Sequence, residues 1–354
     1  MMLTVTEIAQ LASVILGVCL LAFASREDEN VRIKNIIKKS MMFLEGSWFM
    51  IASKDNKKLG PKYNPCTNEL IQKGVKKTTK KVVFIRHGES DWNDIFNKGF
   101  GPSIFVRLFR GLFRETMMMV TMDSVFLDSP LNKEGFEQAK ELNDFFQKEP
   151  LTITSEVGKE IFHAIAGNNS NISSVIVSSN LRRAIATTTV GLWSRLMRTK
   201  EQMLILSCLQ EISRNVDTKA LAPRGGLPDL SRITEYIDGD ASTFVPESLY
   251  EVTFNTGNKT SFFNGVKRLN AFNEWAFKRD EDMIIVGGHS LWFKNFFQMY
   301  VPHSSTHECK SKKIVNSGVV SFELERWEDA EGKTIGYRVD PDHIQTVYGG
   351  FTVR

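Results

Sequence analysis

The chain has little cysteine. Cys19, Cys66, Cys208 and Cys309 are its four, widely separated and without a Cys-x-x-Cys pair. That excludes a disulfide framework and a zinc ribbon, and fits a reducing compartment. Net charge is also scarce, at +4, too small to argue for nucleic acid, and no such partner is expected. No solenoid repeat is present. His303, His307 and Cys309 form a loose group without a fourth ligand, so it reads as a surface loop and no metal is expected. The apolar fraction of 42% is enough for a sizeable core. The 354 residues allow one large domain with extensions.

Positive charge is missing from the start of the chain. The apolar run at residues 8–24, IAQLASVILGVCLLAFA, has only Glu7 as a charged residue before it, and Arg26, Arg32, Lys34, Lys38 and Lys39 follow it. A cleaved signal peptide carries its positive charge ahead of the run. The reverse order favours a membrane anchor over residues 1–25, with the next domain on the cytoplasmic face. The alternative is an amphipathic or buried N-terminal helix in a cytosolic protein. Residues 26–79 are lysine-rich and read as a basic linker or irregular extension, leaving residues 80–354 as the main domain.

That domain opens on Val82, Val83, Phe84 and Ile85, an apolar run that stops at Arg86-His87-Gly88. Such a run is a buried strand, and its polar end marks a strand terminus opening into a pocket. Three further strands are expected at residues 173–179, 204–209 and 282–286, with helices after them. A strand at 319–327 and its hairpin partner at 332–339 close the domain. Alternating strands and helices predict an α/β fold, doubly wound, with a mostly parallel sheet flanked by helices. Polar residues stand just past four strand ends: Arg86 with His87, Arg183, Glu211 and His289. A parallel sheet gathers such ends along one edge.

Between the first strand and this pattern lies an insertion at about 97–127. Arg107, Arg110 and Arg114 share one helical face in it, with apolar residues filling much of the rest. An ordinary packed helix, a lid over a phosphate site and a helix lying in a membrane interface are all consistent with that pattern.

The motifs in order are Arg86-His87-Gly88-Glu89-Ser90 with Trp92-Asn93, then Ser129-Pro130-Leu131 through Gly135, then Ser179-Asn180-Leu181-Arg182-Arg183-Ala184 with Thr187, then Leu209-Gln210-Glu211, then Gly288-His289-Ser290. Together they resemble the histidine phosphatase superfamily, also called phosphoglycerate mutase-like, over roughly residues 80–325. The resemblance implies a phosphomonoester hydrolase that works without metal or other cofactor. His87 is then the nucleophile and forms a phosphohistidine. Arg86, Arg183 and the uncharged donor Asn93 hold the phosphate. Glu211 is the proton donor, and His289 is a further donor. Arg182 is expected to be a solvated surface charge, and Glu89 and Asp91 to cap a turn or face solvent. Ser90 is a weaker candidate for substrate contact. The expected substrate is a phosphorylated small molecule or a phosphoprotein. Glu211-Ile212-Ser213-Arg214 departs from the Glu-Arg-His-Tyr of mutases, which favours a phosphatase. A phosphoglycerate mutase and a catalytically silent membrane-associated binding module are the alternatives.

Overall fold

The computed structural model describes residues 29–55, 76–99, 101–148, 153, 155–168, 171–260 and 264–352. The expected anchor at residues 8–24 lies outside the described residues. Among those described, no helix is long and apolar enough to cross a membrane.

The elements run α1 (Glu29–Ala52), β1 (Lys76–Arg86), α2 (Asp91–Phe96), α3 (Ser103–Met117), α4 (Lys133–Gln147), α5 (Glu156–Ala166), β2 (Ser174–Ser179), α6 (Arg182–Gly191), α7 (Trp193–Thr199) and β3 (Met203–Leu206). They continue with α8 (Pro246–Leu249), β4 (Tyr250–Glu251), α9 (Gly265–Ala276), β5 (Met283–Gly288), α10 (Ser290–Tyr300), β6 (Val319–Glu328), β7 (Thr334–Val339) and β8 (Gln345–Tyr348). One eight-stranded sheet has the order β4-β3-β2-β5-β1-β6-β7, with β8 also on β6. Pairs from β4 to β1 are parallel, and β6, β7 and β8 add an antiparallel edge. The fold is therefore α/β, with a mostly parallel central sheet flanked by helices.

The unbroken apolar run in β1 has a direct cause. Successive side chains of a strand point to opposite faces, and here both faces are covered. Val83 and Ile85 pack with Phe136, Leu142, Phe162 and Ile185 from the helices on one face. Val82 and Phe84 pack with Phe272, Trp292, Phe293 and Phe297 on the other. Phe84 stacks on Phe293 with ring centroids 4.1 Å apart. Full burial of one such side chain contributes about 1.5–3 kcal/mol.

Several expectations need correction. Residues 26–79 are not irregular throughout: α1 is a 24-residue helix, and β1 begins at Lys76 because Lys76–Lys81 extends the ladder with β6. Lysines on this stretch hide a periodic apolar pattern on α1, which buries Ile36, Lys39, Gly46 and Phe49. The third strand ends at Leu206, where Ser207–Leu209 turns into a 3₁₀ helix. Between α4 and β2 lies α5, capped by Ser155 and ended by Gly167 in the left-handed conformation.

α1 is tied to the domain by a buried charged cluster. Asp55, fully buried, accepts from Lys259 at 3.0 Å and from Arg268 at 2.7 Å and 3.2 Å. The Lys259 ammonium also donates to the backbone carbonyls of Glu211 and Ser213, at 2.5 Å and 2.6 Å. Burial lowers Lys259 to a pKa of about 8.

Candidate active site

Parallel pairing places Arg86 opposite Gly288, and the His87 N–H donates to the Gly288 carbonyl at 2.9 Å. The next residues, His87 and His289, therefore stand side by side, with ring centroids 5.2 Å apart and planes inclined at 58°. Close backbone contact permits the turn that follows. A Cβ on Gly88 would meet the Gly135 carbonyl at 2.5 Å, and one on Gly135 would meet the Glu89 carbonyl at 2.0 Å. The Gly88 N–H donates to Thr187 Oγ1 at 2.9 Å, which itself donates to the Arg183 carbonyl at 2.8 Å.

His87 Nδ1 lies 2.7 Å from the Gly88 carbonyl. A carbonyl only accepts, so Nδ1 carries the proton and Nε2 keeps its lone pair. Burial, followed by Arg183 and Arg86, holds this imidazole well below its ordinary pKa of 6.5. It is a neutral, singly oriented base. His289 Nε2 lies 2.8 Å from Ser179 Oγ. That oxygen also accepts the Leu181 N–H at 3.3 Å, and its own proton can be donated to His289 Nε2. In that arrangement His289 carries its ring proton on Nδ1. Its Nδ1 is buried and has no hydrogen-bond partner among the described residues, and the same holds for Arg86 Nε. Burial and then Arg183 lower His289 well below 6.5.

This has a measurable consequence. Unfolded histidine titrates near 6.5, so below that pH the unfolded chain binds protons that the folded one refuses. Stability then falls as pH falls, approaching about 1.4 kcal/mol per pH unit for each histidine. Asp217, raised by burial from 3.8 to about 6, acts in the opposite sense between those values, so only a comparison isolates one group. Between pH 6 and 5, the unfolding free energy of His289→Gln, measured in urea, is expected to fall less steeply than that of the parent by about 1.4 kcal/mol per unit. Equal slopes would show that His289 is not buried as a neutral ring.

Arg183 donates to the Asp217 carbonyl at 2.9 Å and pairs with its carboxylate at 3.2 Å. Glu211 Oε1 accepts from the Ile212 and Trp292 N–H groups at 2.9 Å and 2.8 Å, while among the described residues Oε2 takes only the Leu291 N–H at 3.3 Å. Its carboxyl group thus lies at the N-terminus of α10. Glu211 acts on Arg86, opposing the burial that lowers the guanidinium to about 10. Arg86 NH1 donates to the Ile314 carbonyl at 2.6 Å. Lys313, exposed along its length, has an ammonium that acts electrostatically on His87 and Arg86. His87, Arg183, Glu211 and His289 are 4%, 2%, 5% and 0% exposed.

The sheet thus brings together Arg86, His87, Arg183, Glu211 and His289. Asn93 is not joined to them by a contact: it is half-buried on α2, and its amide oxygen accepts from Asn97 at 2.7 Å. Ser90 caps α2 by accepting from the Asn93 N–H. Glu89 and Asp91 are buried rather than solvent-facing; Glu89 accepts from Asn316 at 2.6 Å, and Asp91 takes a two-point contact from Arg114 at 3.1 Å and 2.9 Å. Arg182 is also buried, against expectation, because Asp128, Asp123 and the Ser124 carbonyl surround its guanidinium. Asp217, Ser179, Thr187 and Lys313 join the site without having been singled out. Asp217 and Lys313 lie in segments with no motif, whereas Ser179 and Thr187 sit inside one. His307 Nδ1 accepts from the Cys309 N–H at 3.2 Å, and among the described residues no three side chains are grouped to hold a metal ion.

In sequence, the chain matches no protein-family model and no curated protein. Among solved structures it is similar to a protein named mycobacterial hydrolase 1, at 14% identity over 78% of this chain and 100% of that one, with a TM-score of 0.34. It is also similar to a mycobacterial glucosyl-3-phosphoglycerate phosphatase, at 15% identity over 74% of this chain and 97% of that one, with a TM-score of 0.34. At this level of similarity the functional reading rests on the side chains just described.

Proposed function

We propose that the protein is a phosphomonoester hydrolase of the histidine phosphatase type, working through a phosphohistidine on His87. The observation that carries this reading is the fixed lone pair on His87 Nε2, beside two arginines and a neutral second histidine. In the first step Nε2 attacks phosphorus and the P–O bond to the leaving alcohol breaks. Arg86, Arg183 and His289 Nδ1–H neutralise the phosphoryl oxygens as charge shifts onto them. Glu211 gives its proton to the leaving alkoxide. Oε2 is the oxygen suited to carry that proton, since it accepts only the long contact. In the second step the Glu211 carboxylate takes a proton from water as that water attacks phosphorus, and the P–N bond breaks. Phosphate leaves and His87 is restored. Asp217 positions Arg183, and Ser179 sets the tautomer of His289. The substrate class is a phosphorylated small molecule or a phosphorylated side chain.

The test uses the full chain and an aryl phosphate labelled at phosphorus. Turnover with an acid-labile, base-stable label on the peptide containing His87 supports the reading. No turnover of aryl or alkyl phosphomonoesters, or isomerisation of phosphoglycerate that requires a bisphosphate primer, would overturn it.

A further inference from the structure

Two neighbouring helices present apolar surface on the wrong side. α3 packs inward through Gly111 and Glu115. At 100° per residue, Phe105, Phe109 and Phe113 fall on the opposite side, and they are exposed, Phe105 to 73% and Phe109 to 71%. α1 packs inward through Ile36, Lys39, Gly46 and Phe49. Ile37, Met41, Leu44, Trp48 and Ile51 follow one another at helical spacing on its outer side, with Leu44 at 72% and Trp48 at 63% exposed. The two helices meet where Lys39 of α1 pairs with Glu115 of α3 at 3.0 Å and donates to the Met118 carbonyl at 2.9 Å. Isolated exposed apolar residues need no explanation, whereas two continuous outward stripes on adjoining helices mark an interaction surface.

Charge selects the occupant. Lys34 and Lys38 line the same shallow groove as Ile37 and Met41 on α1. Arg110 is exposed beside the apolar sector of α3, with Arg107 and Arg114 on the same edge. Lys39 is buried against Glu115 and Arg114 is paired with Asp91, so the exposed charge of this surface comes from Lys34, Lys38 and Arg110, with Glu45 the acidic residue in the groove. An apolar stripe bordered by lysine and arginine is the pattern of a helix lying flat in a lipid headgroup layer. The segment that directly precedes α1 in the chain, residues 8–24, is itself apolar.

We propose that the outer faces of α1 and α3 dock the protein onto an anionic membrane surface, with Phe105, Phe109 and Phe113 and the Met41-Leu44-Trp48 stripe entering the headgroup layer. The proposal does not depend on the phosphatase reading. It is tested with the full chain and vesicles of phosphatidylcholine alone or with about one-third phosphatidylserine. Binding to the mixed vesicles, weaker binding to the neutral ones, and at least a roughly tenfold lower partition for Phe105→Ser/Phe109→Ser/Phe113→Ser and for Met41→Ser/Leu44→Ser/Trp48→Ser are expected. Unchanged thermal melting of both variants keeps the comparison a test of docking and not of folding. Unchanged binding of either variant would overturn the proposal and leave residues 8–24 as the membrane contact. Equal binding to neutral vesicles would overturn the role of charge. A dimer at sedimentation equilibrium that the same substitutions dissociate, without vesicle binding, would assign the surface to a second copy of the chain instead.

Discussion

Replacing His87 with alanine lowers kcat toward an aryl phosphate by at least about 10³-fold, because it removes the atom that would form the new bond to phosphorus. A single stabilising donor is worth less. His289→Ala is expected to lose about 10²–10³-fold, and that variant keeps the phosphohistidine label. The two substitutions therefore separate nucleophile from donor: label and turnover vanish together in the first and part company in the second. Neither residue anchors the fold through an ion pair, and both are flanked by backbone contacts that alanine retains. Single-turnover quench of both variants, alongside their melting curves, makes the measurement. His87→Ala activity within tenfold of the parent would remove His87 from the chemistry and with it the proposed mechanism.

The largest effect on stability is expected at Asp55. Its carboxylate is fully buried between Lys259 and Arg268, at 3.0 Å and 2.7 Å. Asp55→Ala leaves two cations in a site walled by Phe49, whose ring lies 5.0 Å from Lys259 Nζ. Breaking one partner out of such a cluster costs about 3–5 kcal/mol. The loss should appear as a lower urea midpoint with an unchanged slope. Replacing all three, Asp55→Leu with Lys259→Met and Arg268→Leu, removes the uncompensated charge and is expected to recover most of the stability. It does so at the expense of the two cations that hold the Glu211 carbonyl, at 2.5 Å and 3.3 Å, so turnover should stay low after stability returns. Loss of less than about 1 kcal/mol in Asp55→Ala would show that the cluster is hydrated and not structural.

The sheet was legible because β1, β2 and β5 are bounded by both-face burial, which writes itself as Val82-Val83-Phe84-Ile85 and its counterparts. The site was legible for a related reason. A histidine or arginine at the end of such a strand has no place in the core, and parallel pairing gathers those ends. Other features were hidden by the reach of their partners. Asp217 and Asp55 sit in segments without pattern, and their cations lie 34 and 204 residues away. Arg182 shows a subtler limit. Adjacent helical residues do point about 100° apart, and only Arg183 of the pair meets Asp217. The step from "not in the site" to "in solvent" fails because Asp123 and Asp128 close over the other side. α1 was obscured because lysines interrupt its apolar stripes, one facing inward and one outward, so its composition resembled a linker.

The Asp55 cluster also has a consequence for how the chain is made. Asp55 leaves the ribosome 204 residues ahead of Lys259 and 213 ahead of Arg268. At about 5–20 residues per second that is a wait of roughly 10–40 s. Glu115, the partner of Lys39, and the Val216 segment against which Gly46 packs are made within that wait, but the cations that neutralise Asp55 are not. The buried charged cluster, and with it the support behind Glu211, closes only after Lys259 and Arg268 have been made.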